Sequence, residues 1–340
     1  MKRLFLVLVL MLGLAACVEE SLDETTRNSI GFEPMVGKNT IIKATELNDD
    51  NFSEFRVWAY YTDDDNFGTL NANPSTYIPG IEVTKSGSHW NYSPAYYWPL
   101  TGNLSFFGIG GDDGENLAIS LEENSPYPSF SYTVTNNSSQ QKDLVVAVIT
   151  NQNKQANGGN AVNMVFNHIL TQVNFSLKGA NPNLKYIIHK IEIQDAFYIG
   201  NFTFNSSIID ETNGSTWEPD ITTKVTYTYY PHAENEPGLS IPAVVDGEEH
   251  SFIPFGSGTT GEALMLMPQD FVGTIKVKYD VINPAGQTLH TNKIAERDLT
   301  ATWEIGSKIR YNLTLPVGGS LIEFDVENEG VADWGIEQTE

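Results

Sequence analysis

A chain of 340 residues with 43 acidic and only 19 basic side chains carries a formal net charge of -24. Such a surface repels nucleic acid and anionic lipid headgroups, which excludes both as ligands. The single cysteine, Cys17, leaves no disulfide framework and no cysteine zinc site, so stability has to come from buried apolar surface.

The chain opens on Lys2 and Arg3, followed by an almost wholly apolar run from Leu4 to Leu14. Leu14-Ala15-Ala16-Cys17 then matches the lipobox at which bacterial lipoproteins are lipidated and cut. The apolar run is shorter than the ~20 residues a membrane-spanning helix needs, so residues 1–16 read as a removed export signal. Cys17 is the expected lipidated N-terminus. Several acyl chains, at about 0.8 kcal/mol per buried methylene, would hold it in a membrane. Val18-Glu19-Glu20 and Asp23-Glu24 make residues 17–28 an acidic, solvated tether. The tether is similar to the acidic signal that sends some anaerobes' lipoproteins to the outer face of the outer membrane. The expectation is an outer membrane lipoprotein displayed at the cell surface.

Beyond the tether, nearly every patterned segment has a period of two. Phe55, Val57 and Ala59 alternate with Arg56, Trp58 and Tyr60, which predicts a half-buried strand. Leu144 to Ile149 is a continuous apolar run suited to a strand covered on both faces. Further strands are predicted at Val173–Leu177, Tyr186–Ile193, Val225–Tyr229, Ile275–Val281, Tyr311–Leu315 and Leu321–Val326. Turn-rich pieces separate them, including Asn71-Ala72-Asn73-Pro74, Gly110 to Gly114, Asn213-Gly214 and Asn283-Pro284-Ala285-Gly286. No segment offers three helical turns. The fold class is all-β, built of antiparallel β-sandwiches. The length favours two units, and the polar stretch Asn151 to Asn163 divides the chain into 29–160 and 161–340. A long surface hairpin loop is the alternative reading of that stretch.

No constellation selects a chemistry. The six histidines, His89, His168, His189, His232, His250 and His290, include no two at zinc-ligand spacing. Asp63-Asp64-Asp65-Asn66-Phe67-Gly68 looks superficially like a calcium loop, but Phe67 occupies an oxygen-ligand position and Pro74 the closing one. Gly108-Ile109-Gly110-Gly111 has no following helix to aim at a phosphate. No nucleophile elbow is present, and nothing singles out one carboxylate pair among the acids. Neither an enzyme nor a metal or cofactor site is expected. Trp90-Asn91-Tyr92 and Tyr96-Tyr97-Trp98-Pro99 form the densest aromatic cluster. It reads either as cross-strand packing or, if exposed, as a platform for sugar rings.

Several motifs, in order, carry a resemblance. They are Phe55-Arg56-Val57-Trp58-Ala59-Tyr60, Tyr97-Trp98-Pro99 before Leu104-Ser105-Phe106-Phe107, and Phe166-Asn167-His168-Ile169-Leu170. Leu264-Met265-Leu266-Met267-Pro268-Gln269 follows, then Trp303, Gly306 and Tyr311, and finally Asp333-Trp334. Together they resemble the fimbrillin family in its Mfa-like branch, the subunits of type V pili. The resemblance implies two transthyretin-like β-sandwiches in tandem and a fibre subunit, serving as stalk, tip or anchor. Its partners would be other pilin subunits and a host or bacterial surface ligand. It also implies assembly by strand addition after proteolytic removal of an N-terminal strand. Arg27 lies in the tether, and Lys43 stands before Ala44-Thr45 where relatives often have arginine. These two are the expected processing sites. A surface glycan-binding lipoprotein, using the Trp90 to Trp98 aromatics, is the alternative function.

The last predicted strand follows a flexible Gly318-Gly319 joint and alternates Ile322, Phe324 and Val326 against Glu323 and Asp325. At roughly 1.5–3 kcal/mol for each buried side chain, those three would supply about 4–9 kcal/mol as a donor strand. A plain edge strand of the second unit has the same sequence pattern.

Overall fold

The computed structural model describes residues 28–37, 47–63, 65–69, 73–111, 117–123, 125–157, 159–208, 214–229, 238–245, 248–255 and 263–328. The first strands are β1 (Phe32–Val36), β2 (Glu54–Thr62), β3 (Ser75–Ser86), β4 (His89–Asn91), β5 (Asn103–Gly110), β6 (Ser129–Thr133), β7 (Val145–Gln152) and β8 (Val162–His168). Then come β9 (Thr171–Gly179), β10 (Lys185–Phe197), β11 (Ile199–Thr203), β12 (Thr216–Pro219), β13 (Lys224–Tyr229) and β14 (Leu239–Ile241). The last are β15 (Ile253–Phe255), β16 (Leu264–Leu266), β17 (Gln269–Ile282), β18 (Thr288–Trp303), β19 (Lys308–Leu315) and β20 (Glu323–Asn328). Among the described residues the longest helix is the single turn Lys154–Asn157. The all-β expectation holds.

Seven strands form one sheet in the order β1-β8-β7-β5-β2-β3-β4, antiparallel except where β1 runs parallel to β8. A second sheet, β13-β10-β17-β18, carries β14 beside β10. A third, β15-β9-β19-β20, carries β16 beside β9, and β9 runs parallel to β19. A small sheet, β12-β11-β6, pairs a strand from before residue 160 with two from after it.

The period-two pattern decides which core each side chain enters. Phe55, Val57 and Ala59 of β2 lie in a core with Leu104 and Phe106 of β5 and Val145 and Ala147 of β7. Their sequence neighbours Trp58, Tyr60, Phe107, Ile109 and Val146 belong to a larger core that extends to Ile322. The half-buried strand expected at Phe55–Tyr60 is therefore buried on both faces. Trp58 and Tyr60, although they occupy the outward half of the alternation, are large aromatics with a second core to fill. Two glycines of β5 reflect the same crowding. A Cβ on Gly108 would stand 2.8 Å from the Phe166 ring, and one on Gly110 2.5 Å from the Phe52 ring.

The polar stretch around residues 153–161 links two neighbouring strands of one sheet, β7 and β8, through the short helix. Strand pairing thus groups Val162–His168 with β1 and β7, on the N-terminal side of the expected division at 160.

Where β8 ends, His168 Nδ1 lies 2.7 Å from Asp143 Oδ2, and both side chains are fully buried. The same carboxylate oxygen accepts the Leu47 amide at 2.9 Å. Burial, with the nearby Lys308 charge, holds the His168 pKa well below the ordinary histidine range. An imidazole that resists protonation only when folded contributes stability above the unfolded pKa of about 6.5, and that stability is lost as pH falls below it. Thermal unfolding should therefore shift to lower temperature between pH 7 and pH 5. His168→Asn, which keeps an N–H donor near Asp143 but cannot titrate, should flatten that slope; an unchanged slope would show that His168 does not set it.

Candidate functional site

The best-defined site is the groove that holds β1. Ile30, Phe32, Pro34 and Val36 are buried, while Glu33 and Met35 face out. The Phe32 ring sits among Phe55, Tyr92 and Phe106, with centroids 6.0, 5.5 and 5.8 Å away. Edge-on contacts of this kind exploit the ring quadrupoles and add to the area they bury. Phe166, Phe52 and Trp90 extend the aromatic wall around Phe55.

Main-chain bonds hold the segment on both sides. Along β8, the Val162 N–H donates to Gly31 O at 2.8 Å and the Gly37 N–H to Phe166 O at 3.3 Å. Opposite β8, the Ile30 N–H donates to Tyr96 O at 2.9 Å and the Trp98 N–H to Asn28 O at 3.2 Å. The Val36 N–H donates to Asp49 Oδ1 at 2.8 Å, and the Tyr92 hydroxyl donates to Ile30 O at 2.5 Å. Burial raises the Tyr92 hydroxyl above its ordinary range, so it remains a donor. Every one of these bonds is made to the backbone of the segment, so selection among side chains rests with the apolar pocket alone.

The aromatic cluster proves to be part of this groove. Trp98 is buried against Phe106, Tyr92 lies on Phe32, and Trp90 packs on Phe52 and Phe55. Trp98 is buried, and Trp90, Tyr92, Tyr96 and Tyr97 are half-buried. The cluster serves as packing around β1.

Of the other sequence-predicted residues, Cys17, Arg27 and Lys43 lie outside the described residues, as does Asp333-Trp334. Ile322 is fully buried. Phe324 and Val326 lie in β20, which pairs antiparallel with β19 at a sheet edge, from Thr314 opposite Glu323 to Ile309 opposite Asn328. Just before β20, the Glu296 N–H donates to Ser320 O at 2.7 Å and the Ile322 N–H donates to Glu296 O at 3.1 Å. These bonds strap the chain to β18. β1 and β20 thus occupy edges of different sheets. Sequence reasoning missed Asp49 and Phe52, which close the groove from the loop before β2 and carry no motif. The calcium-like loop is resolved by Phe67, which is buried against Tyr60, Phe107 and Tyr127.

A family model described as fimbrillin-like matches residues 43–334. No curated protein matches the chain. A solved fimbrial protein from Bacteroides vulgatus is similar in fold, with a TM-score of 0.58 and 18% identity, over 88% of this chain and 99% of its own. A Bacteroides uniformis protein provisionally assigned to cell adhesion has a TM-score of 0.48 and 12% identity, over 88% of this chain and 97% of its own.

The groove's energetics are open to direct measurement. Phe32→Ala should destabilise the chain by about 3–5 kcal/mol, because it removes a buried ring and leaves a cavity. Met35→Ala, on the outward face of the same strand, should change stability by less than about 0.5 kcal/mol. Urea unfolding followed by fluorescence measures both, and equal effects would show that β1 is not seated through its inward face.

Proposed function

Since the chain belongs to the fimbrillin-like family, we propose that it is a structural, non-enzymatic subunit of a surface pilus, joined to its neighbours by strand addition and serving cell adhesion. It is exported as an outer membrane lipoprotein and held at first by lipid on Cys17. Its partners are other pilin subunits and, through the fibre, a ligand on a host or bacterial surface.

The observation that carries this reading is the seating of β1. A parallel edge strand with alternate apolar side chains in an aromatic groove, bonded mainly through its backbone, is the arrangement that strand replacement needs. Ile30, Phe32 and Val36 contribute about 4–9 kcal/mol at roughly 1.5–3 kcal/mol each. That is a large share of the ~5–15 kcal/mol by which ordinary domains are stable. A subunit stripped of β1 is therefore driven to accept another strand.

The two basic residues that flank β1 separate two outcomes. A cut after Arg27 frees the subunit from its lipid and leaves β1 joined to β2. A cut after Lys43 leaves β1 held by noncovalent contacts alone. Uncut, the chain is an anchor; cut after Lys43, it is a stalk or tip subunit.

Protein trimmed after Lys43 should form ladders on native electrophoresis, whereas protein trimmed after Arg27 should run as a monomer. Lys43→Gln should prevent both the cut and the ladder. Ladders formed by chains in which residues 28–46 remain intact would contradict the proposal.

A further inference from the structure

We infer that a polar cleft at one end of the seven-stranded sheet binds a neutral oligosaccharide. The inference rests on the adhesion reading for its purpose, and not on strand addition. The cleft encloses about 750 Å³, within the range of sites that take small ligands. It opens where β2 ends, β5 begins and β7 passes into the Lys154–Asn157 turn. These strands are neighbours, with Thr62 opposite Asn103 and Leu104 opposite Gln152. Loops at the ends of strands in a rigid sheet are common places for binding residues.

Carboxamides dominate the lining, from Asn28, Asn103, Asn153 and Gln155. A carboxamide sets donors and an acceptor side by side, the pair that adjacent sugar hydroxyls meet in return. Among the described lining residues the charged ones are Asp63 and Lys154, one of each sign. In a chain with 43 acidic and 19 basic residues, that local balance favours a neutral ligand over an ionic one. Pro99 and Leu100 supply the apolar part of the cleft, and Leu100 is 99% exposed. A pyranose carries C–H groups on its face and hydroxyls around its rim. It can therefore cover Pro99 and Leu100 while its hydroxyls reach the carboxamides.

The walls are held in place before any ligand arrives. Asn153 Nδ2 donates to Asn103 Oδ1 at 3.0 Å, and Asn153 Oδ1 accepts the Ala156 N–H at 2.8 Å. The Tyr61 hydroxyl donates to Asp63 Oδ1 at 2.6 Å. Gly102 has a φ of +76°, and a Cβ there would stand 2.5 Å from Thr62 O, so glycine lets this loop close over the end of β2. Fixed walls lower the ordering cost of binding, which matters most for a hydroxyl-rich ligand with little apolar area. Asn28 closes one side against Gly159, where an added Cβ would lie 2.8 Å from its Nδ2. The remaining lining groups come from β2, β5 and the connection after β7, so they stay whether or not β1 is in place.

Other ligand classes fit this lining less well. An extended peptide takes main-chain bonds from a sheet edge and needs pockets for alternate side chains. The cleft instead lies across strand ends, and its apolar part is confined to Pro99 and Leu100. A phosphorylated or sulfated ligand calls for several cations, whereas Lys154 is the one cation among the described lining residues.

The test uses the full chain carrying Cys17→Ser, which prevents lipidation, offered to an array of neutral oligosaccharides. The array holds hexose, N-acetylhexosamine and deoxyhexose units, with sialylated glycans, sulfated glycans and peptides printed beside them. Saturable binding to a neutral glycan is expected, and calorimetry then gives its affinity. Gln155→Ala and Leu100→Ala should each weaken that binding roughly 3–10-fold. Both side chains are exposed, so the thermal unfolding temperature should not move. Leu289→Ala, at an exposed leucine of β18, should leave the affinity unchanged. Failure to bind any neutral glycan, preference for the charged glycans or the peptides, or binding indifferent to both cleft variants would overturn the inference. Ladder formation by trimmed chains is scored separately. Ladders without glycan binding remove this ligand and leave the pilus reading standing; glycan binding without ladders keeps the cleft and removes strand addition.

Discussion

The middle strands of the seven-stranded sheet, β2 and β5, are covered on both faces, and the rest of the molecule follows from that. A strand whose odd residues enter one core and whose even residues enter another has no solvent face to spare. Val57 and Trp58, adjacent in sequence, are both buried, in different cores. The larger core draws on strands from before and after residue 160. At the margin of the sheet the smaller core is closed by β1, a five-residue strand, with the Tyr92 to Trp98 segment beyond it. That concentration of burial on one short segment is what makes the segment consequential.

The strands were legible in the sequence because alternation is a local property. Tyr186–Ile193, Ile275–Val281 and Tyr311–Leu315 lie inside strands that the structure shows, and Asn283 to Gly286 makes the turn between β17 and β18. What the alternation did not reveal was whether the outward half faces water. At Trp58 and Tyr60 it does not, because a second layer of strands lies beyond. The stretch from Asn151 to Asn163 has the composition of a linker, but polar side chains suit a short connection between paired strands equally well.

The site was legible in part. The aromatic cluster and the Phe166 to Leu170 motif were visible, but their purposes depend on residues far away in the chain. His168 packs against Asp143, and Tyr92 reaches back to Ile30. No local pattern encodes such pairings, and Asp49 contributes a single carboxylate oxygen that sequence alone could not distinguish from those of its neighbours. The alternation of Ile322, Phe324 and Val326 was readable from the start. Its pairing with β19 at a sheet edge emerged only from the structure.

The central claim is that the place of β1 changes hands between free subunit and fibre. Electron cryo-microscopy of fibres sheared from the cell surface tests it most directly, by identifying the segment that lies beside Val162–His168. The account predicts a strand from a neighbouring subunit there, with Phe32–Val36 of the same chain gone. Phe32–Val36 of the same chain still lying against β8 throughout the fibre would contradict it.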